Sequence, residues 1–384
     1  MALFCPLTAT HAGFASVLKR LGNTSLACVA VVGTLLASNA DAAPYAYVPD
    51  TVSDKLTVFD LGTGAAVSRY AIPDILGFPN VVGFMRSAVV RTGAIANEVY
   101  ITNHATNELL AFNLLSGTVT GRCTTGALSS TSRGLAITPL GDKVIVTNES
   151  ETSSGKDVQI FTLPLPPVGC VATANISRTD KYGTASNITP GNAYAAAVNP
   201  TGTKAYIPLG IDKVGVLDLT TNKWTKLLSV GASSGPTFIA FNALGTKAYV
   251  TLSGSGAVGV IDTIADTYSA TTIAVGSVPR MAVVSATLLY VLNVGDNSIS
   301  IIDTITNTVV NTYVIGTNTN SFNVLTATGE LILADDATNE IHRAAVSPPF
   351  LQGPAIGGGN LNFPGPQWTP IPLSSFGPTV PNLP

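Results

Sequence analysis

Charge is scarce in this sequence. Asp, Glu, Lys and Arg together make up 11% of the 384 residues, less than half the ~25% of an average soluble chain. Lys and Arg number 19 against 22 Asp and Glu, for a formal net charge of −3. That balance excludes a broad basic surface for nucleic acid, an acidic disordered tail and a coiled coil. Four cysteines are too few for a disulfide-dense miniature scaffold. Three histidines, with no CxxCH, leave too few ligands for a haem or copper centre. A P-loop, a GxGxxG after a strand, an EF-hand loop and zinc-ligand spacing are all missing as well. What the chain has in quantity is small and apolar residues: 36 Gly, 24 Pro and 46% hydrophobic side chains. With so little Lys and Glu, that composition points to an all-β protein with many turns.

Residues 1–42 read as an export signal. Lys19 and Arg20 supply the positive charge, Leu26 to Ala37 form an uncharged apolar run, and Ala40-Asp41-Ala42 fits the small-x-small cleavage rule. The run is too short to span a bilayer, which takes about 20 residues. The mature protein is therefore expected to be soluble, and periplasmic or secreted, with no membrane span. Cys5 and Cys28 leave with the signal. Cys123 and Cys170 remain, and an oxidising compartment allows them to pair. Two free buried thiols are the alternative.

One pattern recurs along the mature chain: a strand rich in Tyr, Val and Ile, a polar turn, a second strand ending in Asp or Asn, and a Thr/Gly/Asn turn. Its first strands read AYVPD (46–50), VYITN (99–103), VIVTN (144–148), AYIPL (205–209), AYVTL (248–252), LYVLN (289–293) and LILAD (331–335). The last four copies lie 41 to 43 residues apart; earlier spacings stretch to 45, 53 and 61. A further strand precedes and another follows the pair in each unit. The alternation has strand period rather than helix period. Four antiparallel strands in about 40–45 residues, repeated seven times, predict a seven-bladed β-propeller. Such a ring over 43–364 accounts for the length without a second domain and leaves 365–384 as an uncharged, Pro-rich tail. The first unit begins directly on AYVPD, without an innermost strand, so part of 350–364 is expected to return to it and close the ring.

AYVTL, VYITN and VIVTN, with VIDT-like partner strands and P-x-G-x-K turns, resemble the YVTN-repeat family of seven-bladed propellers over roughly 45–345. The resemblance implies the fold strongly and the function weakly. It covers archaeal surface-layer proteins, exported bacterial proteins and a binder of single-stranded DNA; lactonases and haem nitrite reductases are more distant propellers. The third copy departs from the pattern by lacking the Asp after its second strand, and the seventh has a degenerate partner strand.

Residues that recur in every copy belong to the scaffold. Asp60, Asn113, Asp218, Asp262 and Asp303 read as turn formers that cap local N–H groups. Tyr47, Tyr100, Tyr206, Tyr249 and Tyr290 read as packing between blades. Function is expected where copies differ. Arg86, Arg133 and Arg280 stand at the start of the inner strand in three copies, where others carry Tyr194, Thr237-Phe238 or Phe322. Guanidiniums gathered at one rim, beside aromatic rings, suit a carboxylate, a phosphate or a nucleotide strand. Insertions at 72–83, 149–157 and 164–192 are further candidate binding loops, with Phe78 and Phe84 as contacts.

Catalytic residue types are few. Only His104 and His342 remain after the signal, and a lactonase-type metal site would have to draw on Glu98, Asn103, Asn148, Glu149, Asn293 and Asp335. The expected function is thus a non-catalytic binding scaffold, with no cofactor, no metal and no catalytic residues. It is expected to be monomeric and to take an unidentified protein, a polysaccharide or an anionic ligand at its channel rim; the resemblance adds single-stranded nucleic acid. A lactonase-like or other channel-sited hydrolase is the first alternative, and a structural or adhesive cell-envelope protein the second.

Overall fold

The structure is a computed structural model. It describes residues 45–50, 55–60, 66–71, 85–90, 98–103, 107–125, 130–150, 157–167, 170–177, 196–210, 212–315, 319–324, 331–335, 340–344 and 369–372. The Arg86, Arg133 and Phe322 positions are described as backbone only. Tyr194, His104, residues 1–44 and the expected ring-closing stretch 350–364 lie outside the described residues.

Every regular element described is a strand, and the strands form seven antiparallel sheets. The first holds three: β1 (Tyr45–Asp50), β2 (Lys55–Asp60) and β3 (Ala66–Ala71). The other six hold four each, in order β4-β5-β6-β7, β8-β9-β10-β11, β12-β13-β14-β15, β16-β17-β18-β19, β20-β21-β22-β23 and β24-β25-β26-β27. Sheet 2 comprises β4 (Met85–Val90), β5 (Glu98–Asn103), β6 (Glu108–Asn113) and β7 (Thr118–Thr124); sheet 3, β8 (Ser130–Ile137), β9 (Lys143–Ser150), β10 (Val158–Thr162) and β11 (Ala174–Ile176). Sheet 4 comprises β12 (Ala197–Val198), β13 (Lys204–Leu209), β14 (Lys213–Asp218) and β15 (Lys223–Ser229); sheet 5, β16 (Pro236–Phe241), β17 (Lys247–Leu252), β18 (Ala257–Asp262) and β19 (Thr267–Ala274). Sheet 6 comprises β20 (Pro279–Ser285), β21 (Leu288–Asn293), β22 (Ser298–Asp303) and β23 (Thr308–Val314); sheet 7, β24 (Thr319–Val324), β25 (Leu331–Asp335), β26 (Glu340–Ala344) and β27 (Thr369–Pro372). Four residues of the uncharged tail thus pair with β26, Glu340 opposite Pro372.

The first strands of successive sheets lie side by side: β4 packs against β8, β8 against β12, β12 against β16, β16 against β20, and β20 against β24. The first strand of each sheet is therefore the inner one and the fourth is the outer edge. The apolar clusters follow from this. One joins Ile145, Val158 and Ile160 of sheet 3 to Ala205, Ile207 and Trp224 of sheet 4. The next joins Tyr206, Val214 and Val216 to Ile239, Val250 and Ile261, and another joins Tyr249 and Val258 to Leu289, Val291 and Ile302. Each cluster lies between two neighbouring sheets. A middle strand therefore has a neighbouring sheet on both faces. Val258, Gly259 and Ile261 of β18 are all buried, so alternation along the middle strands does not separate core from solvent.

The recurring Asp and Asn residues form side-chain-capped turns. Asp218 Oδ1 accepts from Thr220 N and Thr221 N, both at 2.8 Å; Asp262 Oδ1 accepts from Ile264 N and Ala265 N; Asp303 Oδ1 and Asn113 Oδ1 do the same two and three residues on. These backbone donors hold the carboxyls of Asp218 and Asp262 below the usual carboxylate range.

The recurring tyrosine has a second role besides packing. In sheets 4 and 5 its hydroxyl reaches the turn between the third and fourth strands of the next sheet. Tyr249 Oη lies 3.0 Å from Thr304 O and 2.9 Å from Asn307 Oδ1; Tyr206 Oη donates to Asp266. The lysine two residues earlier reaches the same turn: Lys204 Nζ to Asp266 at 2.6 Å and Lys247 Nζ to Thr304 O at 3.2 Å. Lys143 Nζ meets Leu219 O at 2.6 Å, but sheet 3 carries Ile145 where sheets 4, 5 and 6 carry tyrosine. The side-chain amide oxygen of Asn222, which matches Asp266 and Asn307, accordingly finds no donor among the described residues. Burial pushes the hydroxyls of Tyr249 and Tyr290 up to about 12, and that of Tyr206 higher still.

Cys123 of β7 and Cys170 are disulfide-bonded, with Cα atoms 4.5 Å apart. The bond ties the outer strand of sheet 2 to the long connection between β10 and β11 of sheet 3. That connection lies on β7 elsewhere too. Pro166 O accepts from Arg122 N at 3.3 Å, and a Cβ on Gly121 would stand 2.6 Å from the Cβ of Leu165.

Candidate functional site at the start of the inner strands

The inner strands share one irregularity near their beginnings. In β4, Met85 pairs with Asn103 and Ser87 with Thr102, so Arg86 opposes no residue. In β8, Ser132 pairs with Asn148 and Gly134 with Thr147, which leaves out Arg133. In β20, Pro279 pairs with Asn293 and Met281 with Leu292, which leaves out Arg280. The register jumps at the same place in β16, from Pro236 to Ile239, and in β24, from Thr319 to Ser321. A β-bulge of this kind bends the strand and re-aims the extra residue's side chain. The three arginines are therefore equivalent in register. Thr237 and Asn320 take the same place in sheets 5 and 7. Phe238 and Phe322 do not: Phe238 matches Ser87 and Met281, one residue further in, and Phe322 matches Ala88 and Ala282, two further in.

Local contacts brace this position where side chains are described. Thr237 Oγ1 lies 2.8 Å from Thr251 Oγ1 and donates across to the next sheet, 3.3 Å from both Pro279 O and Arg280 O. Phe238 N donates to Thr251 Oγ1 at 3.0 Å, so the threonine hydroxyl takes up a backbone N–H that the bulge leaves out of the ladder. Phe238 is half-buried; Arg280 is exposed.

The polar residues considered for a metal are disposed otherwise. Asn103, Asn293 and Asp335 end the second strand of their sheets, and Asn148 holds the matching place in β9, two residues before its end. Asn148 and Asn293 are fully buried, with amides turned into their own sheets. Asn148 Nδ2 donates to Gln159 at 3.0 Å, and Asn293 Nδ2 to Ser298 and Ser300 at 2.9 Å. Glu98 sits at the opposite end of β5, where Tyr100 Oη donates to it at 2.6 Å. Among the described residues no three His, Cys, Asp or Glu side chains are grouped to hold a metal ion.

Repeated four-stranded antiparallel sheets, stacked through their inner strands, define a propeller-like all-β protein. The chain belongs to the Choice-of-anchor I domain family, which it matches over residues 45–281. Its fold is similar to that of three solved structures. A putative 6-phosphogluconolactonase from Bacteroides fragilis is 17% identical, with TM-score 0.63, covering 80% of this chain and 92% of that one. A functionally unknown protein from Desulfotomaculum acetoxidans is 13% identical, with TM-score 0.61 and coverage of 83% and 94%. Hydrazine synthase from Kuenenia stuttgartiensis is 11% identical, with TM-score 0.61 and coverage of 79% and 92%. At these identities the likeness is one of fold. No curated protein matches the chain.

Proposed function

We propose that this chain is an exported seven-bladed propeller of the YVTN type. It works outside the cytoplasm as a non-catalytic binding scaffold and offers the rim where its inner strands begin to an anionic ligand or to the anionic surface of a macromolecule. The observation that carries the reading is the shared bulge position of Arg86, Arg133 and Arg280. A guanidinium offers planar paired donors suited to carboxylate and phosphate. Membership of a choice-of-anchor family supports a place on or outside the cell surface, and the Cys123–Cys170 disulfide supports an oxidising compartment.

The test is binding of a fluorescently labelled heparin fragment, used as a general polyanion, followed by anisotropy at rising salt. The intact protein is expected to bind with an affinity that falls steeply with ionic strength. Arg280→Ala should weaken it about three- to tenfold, and the triple Arg86→Ala, Arg133→Ala, Arg280→Ala variant should abolish it. A triple variant that binds as well as the parent would refute the proposal.

A further inference from the structure

The connection that leads into sheet 6 repeats the one that leads into sheet 5. Gly235 O accepts from Ser253 N at 2.9 Å and Ser234 O from Gly254 N at 2.8 Å. One sheet on, Val278 O accepts from Val294 N at 3.1 Å and Ser277 O from Gly295 N at 2.9 Å. Gly235 and Val278 are therefore equivalent. Each precedes a proline and then the bulge residue, Thr237 or Arg280. Both have left-handed backbone, with φ of 61° at Gly235 and 52° at Val278. Glycine enters that region freely, whereas a β-branched residue there is a true outlier.

The surroundings hold Val278 in this conformation. Its carbonyl is bonded to the next turn, Pro279 behind it is buried, and a Cβ on Gly295 would come within 2.9 Å of its Cγ2. Non-glycine residues kept in sparsely populated backbone regions cluster at binding sites, where the strain is part of pre-organisation. The side chain two residues on is that of Arg280, which is exposed. The Arg280 backbone is braced from sheet 5 by the Thr237 hydroxyl.

We propose that Val278 is a positioning residue. Its left-handed backbone fixes how the chain enters β20 and thereby sets the direction in which Arg280 is presented to a bound oxyanion. The inference rests on the reading of the rim given above. It explains why sheet 6, alone of these two equivalent connections, keeps a β-branched side chain where glycine would be unstrained.

Val278→Gly separates the two roles of the site. It should raise the urea midpoint by relieving the strained backbone, yet weaken heparin-fragment binding, by loosening Arg280, towards but not beyond the about three- to tenfold loss of Arg280→Ala. Val278→Asn, whose side chain tolerates left-handed backbone, should keep the parent affinity. Arg280→Ala should cost little further binding in the Val278→Gly background. A Val278→Gly protein with a lowered midpoint, or one that binds like the parent while the parent binds in a salt-sensitive way, overturns the role of Val278 alone. A parent that does not bind the fragment overturns the rim reading, and this inference with it.

Discussion

Removing the Cys123–Cys170 disulfide tests the clamp between sheets 2 and 3. The perturbation is the double variant Cys123→Ala, Cys170→Ala. The bond closes a loop of 47 residues. In the chain-entropy account, that closure takes about 14 cal/mol/K from the unfolded chain, or about 4 kcal/mol at room temperature. On the folded side little should change. Gly121 remains in close contact with Leu165, and the Arg122 N–H still meets Pro166 O. The two sulfur atoms lost are small: Cys123 is 1% exposed and sits in an apolar cluster with Leu163 and Leu165, where alanine leaves only a minor gap. The assay is equilibrium urea unfolding of parent and variant, followed by far-ultraviolet circular dichroism. The variant should lose about 4 kcal/mol, and a reducing agent should bring the parent to the same midpoint. A loss under about 1 kcal/mol would mean that the non-covalent contacts of the β10–β11 connection hold the two sheets unaided, and the loop-closure argument would fail.

Three further outcomes follow from the clasps between sheets. Tyr249→Phe should cost about 1 kcal/mol, because Lys247 still reaches Thr304 O and covers part of the loss. The same hydroxyl makes the fold alkali-sensitive. The Tyr249 pKa, at about 12, lies above its unfolded value. Its contribution is whole below the unfolded value, near pH 10, and is lost as the pH climbs to about 12. The stability lost in Tyr249→Phe should therefore shrink as the pH rises from about 10 to about 12; a loss that stays constant over that range would contradict the clasp. Asn222→Gly should stabilise by about 1 kcal/mol, since it removes a buried carbonyl oxygen without a donor at a residue whose φ is 55°. Gly117 already fills the same turn position in sheet 2, and a lowered melting temperature would count against this account.

The sequence shows the sheets because their second strands repeat almost unchanged: KAYIPL, KAYVTL and LLYVLN become β13, β17 and β21. The aspartates that end the third strands are legible as turn formers for the same reason, and they cap the turns. Three features were hidden. Thr369–Pro372 carries two prolines, which conceal a strand from any reading by pattern; an outer edge tolerates them because one side of such a strand needs no partner. Tyr249 looks like pure packing, since nothing local reveals that its hydroxyl meets a turn 55 residues later. The bulges are invisible because an extra residue in one strand leaves no compositional mark. Aligning Pro236-Thr237 with Pro279-Arg280 would have chosen Thr237 over its neighbour Phe238 for the candidate position. Val278 could have been found the same way, by setting Val-Pro-Arg beneath Gly-Pro-Thr.

Because the apolar clusters from sheet 2 through sheet 6 are shared by neighbouring sheets, no repeat in the middle of the chain owns its interior. A 42-residue unit cut from the middle of the chain would take half of two cores and the whole of none. Grafting a unit from a relative therefore calls for matching both neighbours at once. Duplicating a unit in place would create a seam whose two sides had never met, and such seams are where a lengthened version of this protein should first come apart.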